Sequence, residues 1–187
     1  LEALKASQHM LYVGRKGAGK TANFYQVAEA LRDNKRNHVC LIKPVDYEME
    51  GLVSLLSMNM NKASPGYLTE SIWKFLLYTE LAASVYHEIA ERPPYLAPTE
   101  TESAFLTFVD THRQLVLDDF SERMESMIKE LCQIDSSDEI RQDRIRISEV
   151  LHVQLLAELR ERLGQALVDR EKVVILVDNL DKAWRQQ

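Results

Sequence analysis

Eight consecutive residues, Gly14-Arg15-Lys16-Gly17-Ala18-Gly19-Lys20-Thr21, carry most of the chemistry legible in this chain. Glycines at Gly14, Gly17 and Gly19 let a backbone turn tightly and aim successive N–H groups at one point, as an anionic guest requires. Lys20 supplies a mobile cation able to reach the β- and γ-phosphates of a nucleotide, and the Thr21 hydroxyl is a hard oxygen suited to Mg²⁺. Arg15 and Lys16 add positive charge, either as direct ligands or as solvated loop cations. The spacing marks Gly14–Ala22, with Ala18 and Ala22 as its small residues, as a phosphate cradle.

A second segment, "VVILVDNLD" from Val173 to Asp181, supplies acids. Five apolar residues in a row suit a strand buried on both faces, as in a parallel sheet. Asp178 then lies at the carboxyl end of that strand, the edge where open α/β sheets bind ligands. Its carboxylate can orient Mg²⁺ opposite Thr21. The next residue, Asn179, cannot accept a proton at neutral pH and so cannot activate a water molecule. Asp181 is the nearest spare carboxylate. It is read either as the catalytic base or as a helix N-cap or surface charge.

These groups need elements to hold them. Met10–Gly14 reads as a short strand leading into the glycine loop. After the loop, Phe24, Val27, Ala28 and Leu31 recur at helical spacing, and the helix is expected to end near Asp33-Asn34. His38–Pro44 is a second apolar strand, which completes a right-handed βαβ unit. Lys43 ends that strand on the ligand edge, where it faces a nucleotide or a partner, or is simply solvated; the solvated reading is favoured.

Residues 45–168 read as a large helical insertion. A turn is expected at Ser64-Pro65-Gly66. A helix follows, with a stripe of Ile72, Leu76, Thr79, Ala83, Tyr86 and Ala90, stopped by Pro93-Pro94. Thr99 and Glu102 form a capping-box pattern. A long stripe of Phe105, Val109, His112, Val116, Phe120, Met124, Met127 and Leu131 predicts one helix, or two broken near Asp118-Asp119. Leu151, Leu155, Leu159, Leu163 and Leu167 give a last helix, its exposed face rich in Glu and Arg. These stripes are read as core rather than as partner grooves, and His112 as a satisfied histidine rather than a metal ligand.

Composition bounds the function. The chain has 187 residues, is 45% hydrophobic and 28% charged, and carries a net charge of −6. That balance fits a globular domain and gives no basic footprint for nucleic acid. No apolar run approaches the eighteen or so residues of a membrane span. Cys40 and Cys132 lack any disulfide-framework spacing and read as buried thiols in a reducing cytosol, so the expected location is cytoplasmic. The chain begins at Leu1 rather than Met and is read as a piece of a longer protein.

"YVGRKGAGKTA", "LIKP" and "VVILVDNLDKAW" together resemble bacterial P-loop ATPases related to the KAP and STAND NTPases, within the additional-strand class. The glycine loop would be the Walker A motif and Val173–Asp178 the Walker B motif. The resemblance implies a three-layer α/β/α fold with a parallel sheet. Residues 1–44 and 169–187 would belong to the NTPase core and 45–168 to a helical lobe, the C-terminal remainder of the domain being absent. It implies ATP and Mg²⁺ as cofactors, with Lys20, Asp178 and Asp181 catalytic and Thr21 and Asp178 on the metal. In STAND proteins a second acid often stands three residues after the metal aspartate, which Asp181 matches; a further acid found in some of them is replaced here by Lys182. The class also places a sensor strand between the P-loop and Walker B strands, for which this chain has no candidate. The implied role is a slow ATP-driven switch, sometimes in defence or signalling, with a protein partner or self-association. A nucleotide-stabilised scaffold with little turnover, an AAA-like nucleic-acid-associated ATPase and a small-molecule kinase are the alternatives.

Overall fold

A computed structural model describes residues 11–15, 17–43, 65–119, 122–123 and 155–178 of the chain. The chain divides into two compact units, Leu1–Lys43 with Arg170–Asp178, and Pro44–Asp169 with Asn179–Gln187.

The first unit is built on helix α1 (Lys20–Arg32) and two strands, β1 (Asn37–Ile42) and β2 (Lys172–Val177). The helix ends where the sequence turns polar, with Asp33 as its C-cap. Ala28 is buried and Phe24, Val27 and Leu31 are half-buried, so the face read from spacing is the one that turns inward. α1 packs against β1, whose His38, Val39, Cys40 and Ile42 are buried. β1 and β2 pair in parallel, from Asn37 opposite Lys172 to Ile42 opposite Val177. The opposite end of the sheet from the ligand edge is tied by polar contacts: Asn34 Nδ2 donates to Glu171 Oε2 at 3.0 Å, and the Glu171 N–H to the Arg36 carbonyl at 2.9 Å.

Two strand readings need correction. Leu11–Gly14 form no strand, and Leu11 and Val13 are 80% and 88% exposed. A strand exists only where a neighbour completes its ladder, and among the described residues β1 and β2 pair only with each other. β2 is also not buried on both faces: Val173 and Ile175, at 41% and 36% exposure, alternate with better-covered Val174 and Leu176.

The second unit is helical: α2 (Pro65–Ala90), α3 (Glu100–Thr111), the single turn α4 (Arg113–Val116) and α5 (Leu155–Ala166). The expected turn at Pro65-Gly66 is instead the start of α2, because proline suits the first helical position, where its missing N–H costs nothing. The buried side of α2 is Phe75, Leu76, Thr79, Ala82, Val85 and Ile89. It is rotated from the stripe of Ala83, Tyr86 and Ala90: Tyr86 instead donates its hydroxyl to Asp110 at 2.8 Å, and Ala90 is exposed. α3 packs on α2 and α5, and Phe105, Phe108 and Val109 of α3 and Leu156, Leu159 and Leu163 of α5 are all buried. The long stripe breaks at His112, earlier than Asp118-Asp119. There the φ of −112° leaves the helical range, and the ring Nδ1 lies 2.9 Å from the Phe108 carbonyl. His112 is thus satisfied and half-buried. Phe120, Met124, Met127, Leu131, Cys132 and Leu151 lie outside the described residues.

The expected capping box is present. Thr99 Oγ1 accepts from the Glu102 N–H at 3.2 Å, and Glu102 Oε2 accepts from the Thr99 N–H at 2.9 Å. Glu102 is only 6% exposed, and both of its oxygens face the Arg92 guanidinium, at 2.8 and 3.0 Å. Burial pushes its carboxyl pKa up, but the hydrogen bonds from Arg92 and the Thr99 backbone outweigh burial and hold it below the usual value. A depressed folded-state pKa stabilises the fold above the unfolded carboxylate pKa, and that contribution is lost as pH falls through the folded value. The stability gap between wild type and Glu102→Gln, read by urea unfolding, is therefore expected to narrow as the solution is acidified below the carboxylate range. Thr99→Ala is expected to cost about 1 kcal/mol in the same assay, the usual effect of losing an N-cap.

One buried polar centre was not foreseen. Arg123, 3% exposed, pairs with Glu80, donates to Thr79 Oγ1 at 2.6 Å and reaches the Asp118 carbonyl at 2.9 Å. It ties the segment after α4 to the middle of α2. Its guanidinium is tolerated inside because a carboxylate and two neutral acceptors surround it.

Candidate functional site

The glycine loop and the end of β2 meet. Gly17 and Gly19 have φ of 86° and 77°, left-handed values that a β-carbon makes costly. Between them the Ala18 N–H donates to the Arg15 carbonyl at 3.1 Å, closing the turn. Gly19 is the N-cap of α1 and provides no side-chain cap. The first turn of a helix has N–H groups that no intrahelical carbonyl reaches, and its dipole is positive there. A helix start left without its own capping side chain favours an anion at that point.

Lys20 folds back over the loop, its Nζ 2.8 Å from the Gly14 carbonyl and 3.4 Å from that of Arg15. These are neutral acceptors, which an ammonium exchanges readily for phosphate oxygens. Across the sequence, 157 positions away, Thr21 Oγ1 donates to Asp178 Oδ2 at 2.9 Å. The β1–β2 register creates this meeting. The Asp178 N–H extends the parallel ladder by donating to the Ile42 carbonyl at 3.0 Å, which fixes Asp178 at the carboxyl end of β2 beside the start of α1.

Gly14, Arg15, Gly17, Ala18, Gly19, Lys20, Thr21 and Ala22 thus form one loop and helix start, with Asp178 against it. Lys16, Asn179 and Asp181 lie outside the described residues. Two groups extend the site. The Lys43 ammonium sits 3.4 Å from the Tyr25 hydroxyl and 5.4 Å from the centroid of its ring. Sequence reading left Tyr25 aside. The available signal was its position four residues after Thr21, on the same helix face, rather than on the apolar stripe.

Among the described residues no group of three or more His, Cys, Asp or Glu could cage a metal. The Thr21–Asp178 pair fits a different mode. A hydroxyl and a carboxylate in hydrogen-bonding contact are hard donors for a Mg²⁺ ion that completes its shell with phosphate oxygens and water. Also among the described residues, no helix is long and apolar enough to cross a membrane. No family model, curated protein or solved structure matches the chain.

Proposed function

We propose that this chain binds Mg-ATP on Gly14–Ala22 and hydrolyses it slowly, as a conformational switch within a larger protein. The observation that carries this reading is the Thr21–Asp178 hydrogen bond. It joins the two segments that the sequence marked independently, one for phosphate and one for metal. Bound Mg²⁺ would neutralise charge on the outer phosphates, held by Thr21 and Asp178. The protein's own part is to grip the phosphates with loop N–H groups, to place Lys20 on them, and to offer Asp181 as the acceptor for the proton of an attacking water.

The fold proposal is a P-loop NTPase core of the additional-strand class related to the KAP and STAND NTPases. It is supported by the parallel β1–β2 pair, by the apolar residues Val173 and Ile175 left exposed on β2, and by the unpaired apolar segment Leu11–Val13. A further strand between β2 and Leu11–Val13 would give that segment a ladder partner, and the class has one in that place. A defence or signalling role, a cytoplasmic location, and a protein partner or self-association belong to the same proposal.

Asn179 motivates a second reading, in which the nucleotide is retained as a structural element with little turnover. Phosphate release from Mg-ATP separates the two. Steady release that is lost in Asp181→Ala supports the switch. Tight ATP binding with no release in the wild type supports the scaffold.

A further inference from the structure

Lys43 and Tyr25 are not explained by the loop, the helix start or the metal pair, yet they stand beside the Thr21–Asp178 contact. The register Ile42–Val177 makes Lys43 the neighbour of Asp178 at the ends of the two strands. Tyr25 stands one helical turn after Thr21, on the same side of α1. Thr21 with Asp178 and Tyr25 with Lys43 are therefore two successive helix-to-strand contacts in one row, at 2.9 and 3.4 Å. Lys20 approaches from the loop, where it is bonded to the Gly14 carbonyl, and Lys43 from the strand ends.

Resting on the nucleotide-binding reading above, we propose that Lys43 is a second phosphate-directed cation, which contacts the terminal phosphate of a bound nucleoside triphosphate and so discriminates triphosphate from diphosphate. Tyr25 is where its ammonium rests when no terminal phosphate is present. Lys43 is exposed, so its ammonium stays hydrated on its four-carbon stem while it rests on Tyr25. An exposed cation–π contact is weaker than a charge-assisted hydrogen bond to phosphate, so a terminal phosphate beside Asp178 would draw the ammonium off the ring. A diphosphate stops short of that place and leaves Lys43 on Tyr25. The exchange also gives α1 and β1 different links in the two nucleotide states, as a switch requires.

The test is titration calorimetry of the protein with Mg-ADP and with a Mg-bound non-hydrolysable ATP analogue, for wild type, Lys43→Gln, Lys43→Arg and Lys20→Ala. Wild type is expected to prefer the triphosphate. In Lys43→Gln that preference shrinks by about tenfold, the weight of one charge-assisted hydrogen bond, and Lys43→Arg retains most of it. An unchanged preference in Lys43→Gln overturns the proposal, as does an equal loss for both nucleotides, which would mark a general charge effect. In both cases binding that is lost in Lys20→Ala leaves the nucleotide site itself standing. If wild type binds neither nucleotide, the site reading fails and this proposal fails with it.

Discussion

Lys20→Ala is expected to weaken Mg-ATP binding by about a hundredfold, the scale of losing an ammonium that makes more than one charge-assisted hydrogen bond to phosphate. The starting geometry explains why the loss is large and specific. Lys20 Nζ bonds the Gly14 carbonyl at 2.8 Å, so the side chain is already folded over the loop whose N–H groups would face the phosphates. Little conformational entropy remains to be lost when it transfers from carbonyl to phosphate. The fold should survive the change, because alanine is the best helix former and Lys20 is the first residue of α1. Thermal melting without nucleotide is expected to stay close to wild type while fluorescence titration with an ATP analogue loses its signal. Lys20→Arg is expected to behave nearly as badly, since a planar fork does not fit where a point charge curls under two carbonyls. Unchanged affinity in Lys20→Ala would remove the phosphate from this loop altogether.

What the sequence made legible was local or chemically strict. Phe24, Val27, Ala28 and Leu31 turn inward because one helical period, uninterrupted by Gly or Pro, has only one apolar face to hide. Thr99 and Glu102 cap α3 because their two hydrogen bonds close within four residues. Thr21 and Asp178 meet although 157 positions apart, a meeting expected from reading the two segments as one Mg²⁺ site.

The misreadings share a non-local cause. Leu11–Val13 has a strand's composition, but a strand's stability lies in its neighbour, which local sequence does not identify. α2 is buried on more than one side, with Leu81 covered as well as Leu76 five positions before it, so its periodicity admitted more than one face. Arg123 gave no signal as a lone arginine in a polar stretch; its burial depends on Glu80 and Thr79 of a distant helix. Tyr25 and Lys43 become a pair only once α1 lies along β1.

Asp178→Asn separates what the carboxylate does for the fold from what it would do for a bound Mg²⁺. Asparagine is nearly isosteric, and its amide oxygen can still accept from Thr21 Oγ1, so the contact now 2.9 Å long is expected to persist. The backbone N–H of residue 178 still extends the ladder to the Ile42 carbonyl, and the melting temperature should hardly move. What disappears is one negative charge beside Thr21. Without Mg²⁺, that charge repels the nucleotide's phosphates, so metal-free ATP is expected to bind Asp178→Asn as well as wild type or better. With Mg²⁺, on the proposed reading, the same charge would serve as a ligand or an outer-shell acceptor for the ion, so the gain in affinity on adding Mg²⁺ is expected to shrink by about tenfold and phosphate release to fall by about a hundredfold or more. The opposite signs with and without the ion are the decisive feature, because mere damage to the site would lower both. A Mg²⁺ dependence identical to wild type would place the ion away from Asp178 and leave the Thr21 hydrogen bond as a structural tie between α1 and β2.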